Sequence, residues 1–238
     1  MKVIVFNGSP RAINSNSHQI VKEILKGAEE AGSFTKEIFL IEKNIEYCRG
    51  CFSCWSNSSG SCIIKDDMKE LIDLYLQADY IGLATPVYGM LMTAVLKNFT
   101  DRLLPLMTPH IKRNSDGSFY HQGRVKSFPK MFFVANAGFP GENNFDLLKK
   151  LMSYQPQKNI FEIYRNCGEI LSEKELGPYQ TNVDRFFKAL RNAGREMVNT
   201  GEVSEATIKE IHIQLISDEE YMQQANEFWD QEIDKNKE

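Results

Sequence analysis

The sequence predicts an α/β fold, a doubly wound, five-stranded parallel sheet. Three observations carry that reading. Short apolar strands alternate with amphipathic helices along most of the 238 residues, the order expected of βαβ units. Three of the predicted strands end in polar or Gly/Pro-containing loops, where such sheets place their ligands. The composition, 42% apolar and 25% charged, is that of an ordinary globular chain.

The elements follow in order. Residues 2–6, KVIVF, read as a buried strand that runs into the loop NGSPR. Ile20, Val21, Ile24, Leu25 and Ala28 form one apolar stripe, which predicts a helix from Ser17 to Ala31, stopped by Gly32. Phe34–Ile41 alternates as a second strand. Asp66 or Asp67 can cap a helix through Ala78. Tyr80–Thr85 reads as the third strand, closed by Pro86, and Thr93–Leu104 as the next helix. Residues 105–129 show little periodicity and form an unusually long connection. Lys130–Ala135 and Phe161–Tyr164 are the last two strands, with helices over Phe145–Met152 and Asn182–Val198. Gly201 ends the latter, so residues 1–201 read as one domain and 202–238 as a C-terminal extension with a helix from Asp218.

Charge excludes some functions. The formal net charge is −4, which offers no electrostatic reason to bind nucleic acid. Residues 218–238 hold eight acidic side chains against two lysines, the pattern of a solvated helix face. No run approaches the roughly 18 apolar residues of a membrane span. The start MKVIVFNGSPR is too short and wrongly flanked for a signal peptide. A cytoplasmic protein with no membrane or nucleic-acid partner is the expectation.

Three strand-end loops stand out. Asn7-Gly8-Ser9-Pro10-Arg11, continuing to Asn14-Ser15-Asn16-Ser17, combines hydroxyls, amides and a helix N-terminus. That suits a phosphate, and equally a polar turn with a helix cap. It is neither a Walker A loop nor a G-x-G-x-x-G fingerprint. Thr85-Pro86-Val87-Tyr88-Gly89-Met90 offers a flat ring beside a glycine, or a packed turn. Asn136-Ala137-Gly138-Phe139-Pro140 leaves room for a planar group, and is also ordinary turn chemistry. Together they suit a flat heterocycle with a single phosphate, which describes FMN.

Four of the five cysteines lie between Cys48 and Cys62. Cys48, Cys51, Cys54 and Cys62 could ligate a [4Fe–4S] cluster, which takes four thiolates. A zinc site, a dithiol at Cys51 and Cys54, and four free thiols are the competing readings. Cys167, alone near the last strand, reads as a packing residue. His110 and His121 in the long connection, and His18 at the first helix, read as exposed.

These residues resemble the flavodoxin-like NAD(P)H-dependent FMN reductases, most of all the branch containing iron–sulfur flavoproteins. The matching segments are Gly8-Ser9-Pro10-Arg11 with Asn16-Ser17, Thr85-Pro86-Val87-Tyr88 with Lys97 and Asp101-Arg102, and Ala137-Gly138-Phe139-Pro140. The run Cys48-x2-Cys51-x2-Cys54-x7-Cys62 followed by Asp66-Asp67-Met68 matches too.

The resemblance implies strand order 2-1-3-4-5. It implies that Ser9, Arg11, Ser15, Asn16 and Ser17 hold the FMN phosphate. Pro86, Val87, Tyr88, Gly89 and Met90 would line the ring and ribityl chain, and Asn136, Ala137 and Gly138 the other side. Ser15 stands where the family commonly has glycine. The implied activity is hydride transfer from NAD(P)H through FMN to an unidentified acceptor, with no essential catalytic side chain. The alternative is an electron carrier without NAD(P)H turnover. A homodimer or homotetramer is implied, with 105–129 and 202–238 as interface candidates.

Overall fold

A computed structural model of the chain describes residues 1–57, 60–154, 159–172 and 176–235. Residues 58–59 of the cysteine loop and 236–238 of the predicted extension lie outside the described residues.

The first strand, β1 (Lys2–Asn7), is flanked in parallel by β2 (Phe34–Phe39) and β3 (Tyr80–Tyr88). A two-residue β4 (Leu91–Met92) turns back on β3, and β5 (Met107–Arg113) pairs with β6 (Phe119–Gly123) in a separate hairpin. The last two sheet strands, β7 (Lys130–Asn136) and β8 (Asn159–Arg165), complete the parallel order β2-β1-β3-β7-β8. This is the predicted 2-1-3-4-5 order of the five long strands.

Helices cover both faces because β-strand side chains alternate. On one face, Val3 and Val5 of β1 pack in a core with α1 (Asn16–Glu30) and, far along the chain, with the long helix over Gln180–Thr200. On the other, Ile4 and Phe6 join a core with the helices over Met68–Gln77, Ala94–Asp101 and Asp146–Ser153. Numbered along the chain after a short α2 (Ser53–Ser56), these three are α3, α4 and α5, and the long helix is α6. Where α1 crosses α6, a Cβ on Gly27 would sit 1.9 Å from the Arg191 carbonyl oxygen, and one on Gly194 2.0 Å from that of Ile24. Only glycine permits that approach.

The C-terminal segment is helical, with α7 (Glu205–Ile211) and α8 (Asp218–Lys235). It is also part of the core. Ile211, Leu215, Ile216 and Tyr221 are buried with the α1–α6 layer. The buried Arg165 at the end of β8 donates to the carbonyls of Ile211 and Ile213. Burial pulls that guanidinium down to about 10, still charged at neutral pH.

Two expectations need correction. The third strand does not stop at Pro86 but runs to Tyr88. Its neighbour β1 ends opposite Ala84, so beyond that point one flank is open and a missing N–H is tolerated. Residues 105–129, read as a long connection with little periodicity, hold the β5–β6 hairpin. Both faces of that hairpin are largely exposed, so no buried face imposed an alternating pattern on the sequence.

Candidate functional site

The chain leaves β1 toward β2 on one side and returns to β3 on the other, so the crevice between the ends of β1 and β3 is the switch point. The loop after β1 is pinned there from several directions. Gly8 donates to the Ala84 carbonyl at 2.8 Å, and Thr93 Oγ1 donates to the Gly8 carbonyl at 2.7 Å. A Cβ at Gly8 would lie 2.5 Å from Leu96 Cβ, so α4 packs directly on this loop. Thr93 is the N-cap of α4, and its backbone N–H donates to Thr85 Oγ1 at 3.1 Å. The loops after β1 and β3 therefore share one frame.

Ser9, Ser15, Asn16 and Ser17 are all buried. Ser15 caps α1, its Oγ accepting from His18 N–H at 3.1 Å. Its φ of −99° lies in the extended region, so serine serves at a position where glycine is not required. The first amides of α1 lack intrahelical partners, and the helix end carries partial positive charge. Asn16 Oδ1 accepts from Ser172, while its buried Nδ2 has no partner within the protein. A buried donor left open beside a helix N-terminus fits an anion such as a phosphate.

The loop after β7 joins the same cradle. Ser17 Oγ donates to Asn136 Oδ1 at 2.6 Å, and Pro86 pairs with Asn136 between β3 and β7. Ala137 is buried and Gly138 exposed. Val87 is half-buried and packs against the core. Beyond it, Gly89 and Met90 have φ of 56° and 69°, the two left-handed residues of a tight hairpin turn. That turn holds Tyr88, Met90 and Leu91 on the surface, with Ile13 and Phe139 also exposed at this edge. Exposed apolar side chains around a polar cradle suit a flat ligand with an anionic end.

Residues 1–117 match the sequence model of the NADPH-dependent FMN reductases. The chain resembles that family. An iron-sulfur flavoprotein of Archaeoglobus fulgidus is 37% identical over 119 residues, 50% of this chain and 53% of the relative. One from Methanocaldococcus jannaschii is 38% identical over 117 residues, 49% and 59% of the two chains. The FMN reductase-like chain thus spans little more than half the length of the curated relatives it matches. Two solved structures share the fold: an FMN-dependent NADH-azoreductase from Bacillus anthracis in complex with FMN, and an NAD(P)H:quinone oxidoreductase from Methanothermobacter marburgensis. Their TM-scores are 0.59 and 0.57, each at 16% identity, covering 83% of this chain and 99% and 96% of theirs.

Arg11 sits at the mouth of this cradle, but its guanidinium is engaged. Nη2 donates to Glu169 at 3.1 Å, both side chains about half exposed. Sequence reasoning assigned no site role to Thr93, Glu37, Glu169 and Ser172. Each acts through a partner distant in the chain, and no local pattern announces that.

The cysteines occupy a second place. Cys48, Cys51, Cys54 and Cys62 line one cavity with Arg49 and Arg102. Cys48 and Cys51 are exposed and Cys54 is buried. Burial, then the neighbouring Cys62, Cys51 and Cys48, pushes the Cys54 thiol up, whereas hydrogen bonds from Ser53 hold Cys51 below the ordinary thiol range. Among the described residues, no three His, Cys, Asp or Glu side chains stand together as a metal-ligand group. The predicted ligands therefore share a cavity without converging on one point.

Arg102 anchors this loop. Its buried guanidinium bonds both Asp66 oxygens, at 2.6 and 3.0 Å, as well as the Glu46 carbonyl, and reaches Cys62 Sγ at 3.5 Å. The hairpin leans on the same loop, with His121 against Trp55 at 4.9 Å and Arg124 donating to the Cys54 carbonyl at 3.4 Å. His110 is exposed, but His18 is not: it bonds Glu37. Cys167 is buried, its thiol pushed up to about 12 by burial.

Proposed function

We propose that this chain is an FMN-dependent oxidoreductase that takes hydride from NAD(P)H and passes electrons to an unidentified small-molecule or protein acceptor. The observation that carries the proposal is the buried Ser9–Ser15–Asn16–Ser17 cradle at the switch point, with the unpartnered Asn16 Nδ2 inside it. The likeness of residues 1–117 to NADPH-dependent FMN reductases supports it.

In this reading the α1 amides, Ser9, Ser15, Asn16 and Ser17 bind the phosphate. Arg11 adds a charged contact at the mouth once Glu169 releases it. Pro86, Val87, Tyr88, Gly89 and Met90 flank the ring from one side, and Asn136, Ala137 and Gly138 from the other. Bound FMN supplies two-electron acceptance and onward transfer; the chain's residues bind it, orient it and shield it from water.

The four cysteine thiols would hold a [4Fe–4S] cluster, drawn together when iron and sulfide bind. Their common cavity and the names of the curated relatives support this. The protein would be a cytoplasmic homodimer or homotetramer. No described helix is long and apolar enough to cross a membrane.

Flavin titration followed by rapid mixing with NADH or NADPH tests the proposal. Flavin bleaching within seconds is expected with at least one nucleotide. A chain that binds no FMN removes the proposal. One that binds FMN but is reduced by neither nucleotide is an electron carrier instead.

A further inference from the structure

We propose that Glu37 is the positioning residue that sets the cradle's preference for a phosphorylated flavin; this rests on the FMN reading above. Glu37 lies on β2 and touches neither the α1 amides nor the buried serines. It acts on both margins of their loop.

At the entry, Asn7 is fully buried at the end of β1. Its Nδ2 donates to Glu37 Oε1 at 2.8 Å, and its Oδ1 accepts from Ser9 N–H at 2.9 Å. A carboxylate only accepts hydrogen bonds. Glu37 therefore forces the amide end of Asn7 toward itself and the oxygen end toward Ser9. The opposite orientation would set oxygen against carboxylate and NH2 against N–H. Ser9 in turn accepts Arg11 N–H on its Oγ and Ala12 N–H on its carbonyl, so the course of the loop follows from where Ser9 is held.

At the exit, the other oxygen, Glu37 Oε2, lies 2.6 Å from His18 Nδ1. The acceptor-only carboxylate places the proton on Nδ1. His18 belongs to the first turn of α1 and is itself capped by Ser15. One carboxylate thus ties the end of β1 to the start of α1, with the buried hydroxyls strung between them. Its side chain is only 9% exposed. Apolar side chains fill such positions at lower desolvation cost, so the acceptor pair is what the position supplies.

The test compares FMN with riboflavin, which lacks the phosphate. Dissociation constants are measured by flavin fluorescence on the full chain and on Glu37→Ala, Glu37→Gln and Glu37→Leu. Wild type is expected to prefer FMN. Glu37→Ala should lose about tenfold in FMN affinity while riboflavin affinity stays within about twofold. Glu37→Gln keeps an acceptor for Asn7 and should recover most of the loss. Glu37→Leu fills the volume without an acceptor, so it should reproduce the selective loss should Glu37→Ala fail to fold. Unchanged FMN affinity in the folded Ala or Leu variant, or parallel loss of both flavins, overturns the proposal and leaves the FMN reading standing. A wild-type chain that does not distinguish the two flavins overturns both.

Discussion

Ser17 Oγ donates to Asn136 Oδ1 at 2.6 Å, joining residues 119 apart in the chain. The bond links the first turn of α1 to the end of β7 and closes the cradle against the loop that follows. Both groups are buried, so losing one partner strands the other. Ser17→Ala is expected to cost about 1–3 kcal/mol in urea unfolding and to weaken FMN binding. A variant with wild-type stability and wild-type FMN affinity would show that the bond holds nothing in place.

The Arg11–Glu169 pair is half exposed and, in the proposed reading, would compete with the FMN phosphate for the same guanidinium. Glu169→Gln should tighten FMN binding by about two- to fivefold, the scale of an exposed ion pair. Arg11→Ala should weaken it. Isothermal titration at two salt concentrations checks both, and the gain in Glu169→Gln should shrink at high salt. Weaker binding by Glu169→Gln would mean that Glu169 presents Arg11 rather than restrains it.

Asp66 and Arg102 form a buried ion pair, 0% and 1% exposed. Burial alone would push the Asp66 carboxyl up. Hydrogen bonds from Arg102 and from the Glu46 and Met68 amides outweigh it and hold the pKa below its ordinary 3.8. A carboxyl lowered on folding adds stability above its unfolded pKa, and that stability is lost as pH falls through the folded value. Urea unfolding from pH 5 downward should show this loss, and Asp66→Asn should lack that component. Arg102→Met leaves a buried carboxylate unpaired and should cost about 3–5 kcal/mol at neutral pH.

The cysteine cavity predicts a metal-dependent change. Anaerobic reconstitution should load about four iron and four sulfide per chain and add visible absorption to that of the flavin. Cys54→Ala, which removes the buried thiol, should abolish the loading with FMN binding intact. Iron-free wild type after reconstitution would leave four free thiols.

Much of the fold is legible in the sequence because burial leaves a periodic trace. The stripe Ile20-Val21-Ile24-Leu25-Ala28 and the runs in β1, β3 and β7 are buried, and their periods gave the elements within a few residues. The hairpin at 107–123 left no such trace, since its exposed faces place no demand on alternation. The third strand reads as closed at Pro86 because proline resembles a stop; an open sheet flank lets it run on to Tyr88.

The amino-acid sequence alone determined the alternating elements, the polar loop at the start of α1 and the clustering of four cysteines, because each is a local pattern. Tertiary structure decided what those patterns mean together. It brought Asn136 to Ser17, Thr93 to Gly8 and Glu37 to both Asn7 and His18, and it buried Arg102 against Asp66 beside Cys62. The physical reason is that a parallel sheet gathers the ends of distant strands on one edge. Hydrogen bonds across that edge depend on side-chain orientation and burial, neither of which is written in residue spacing.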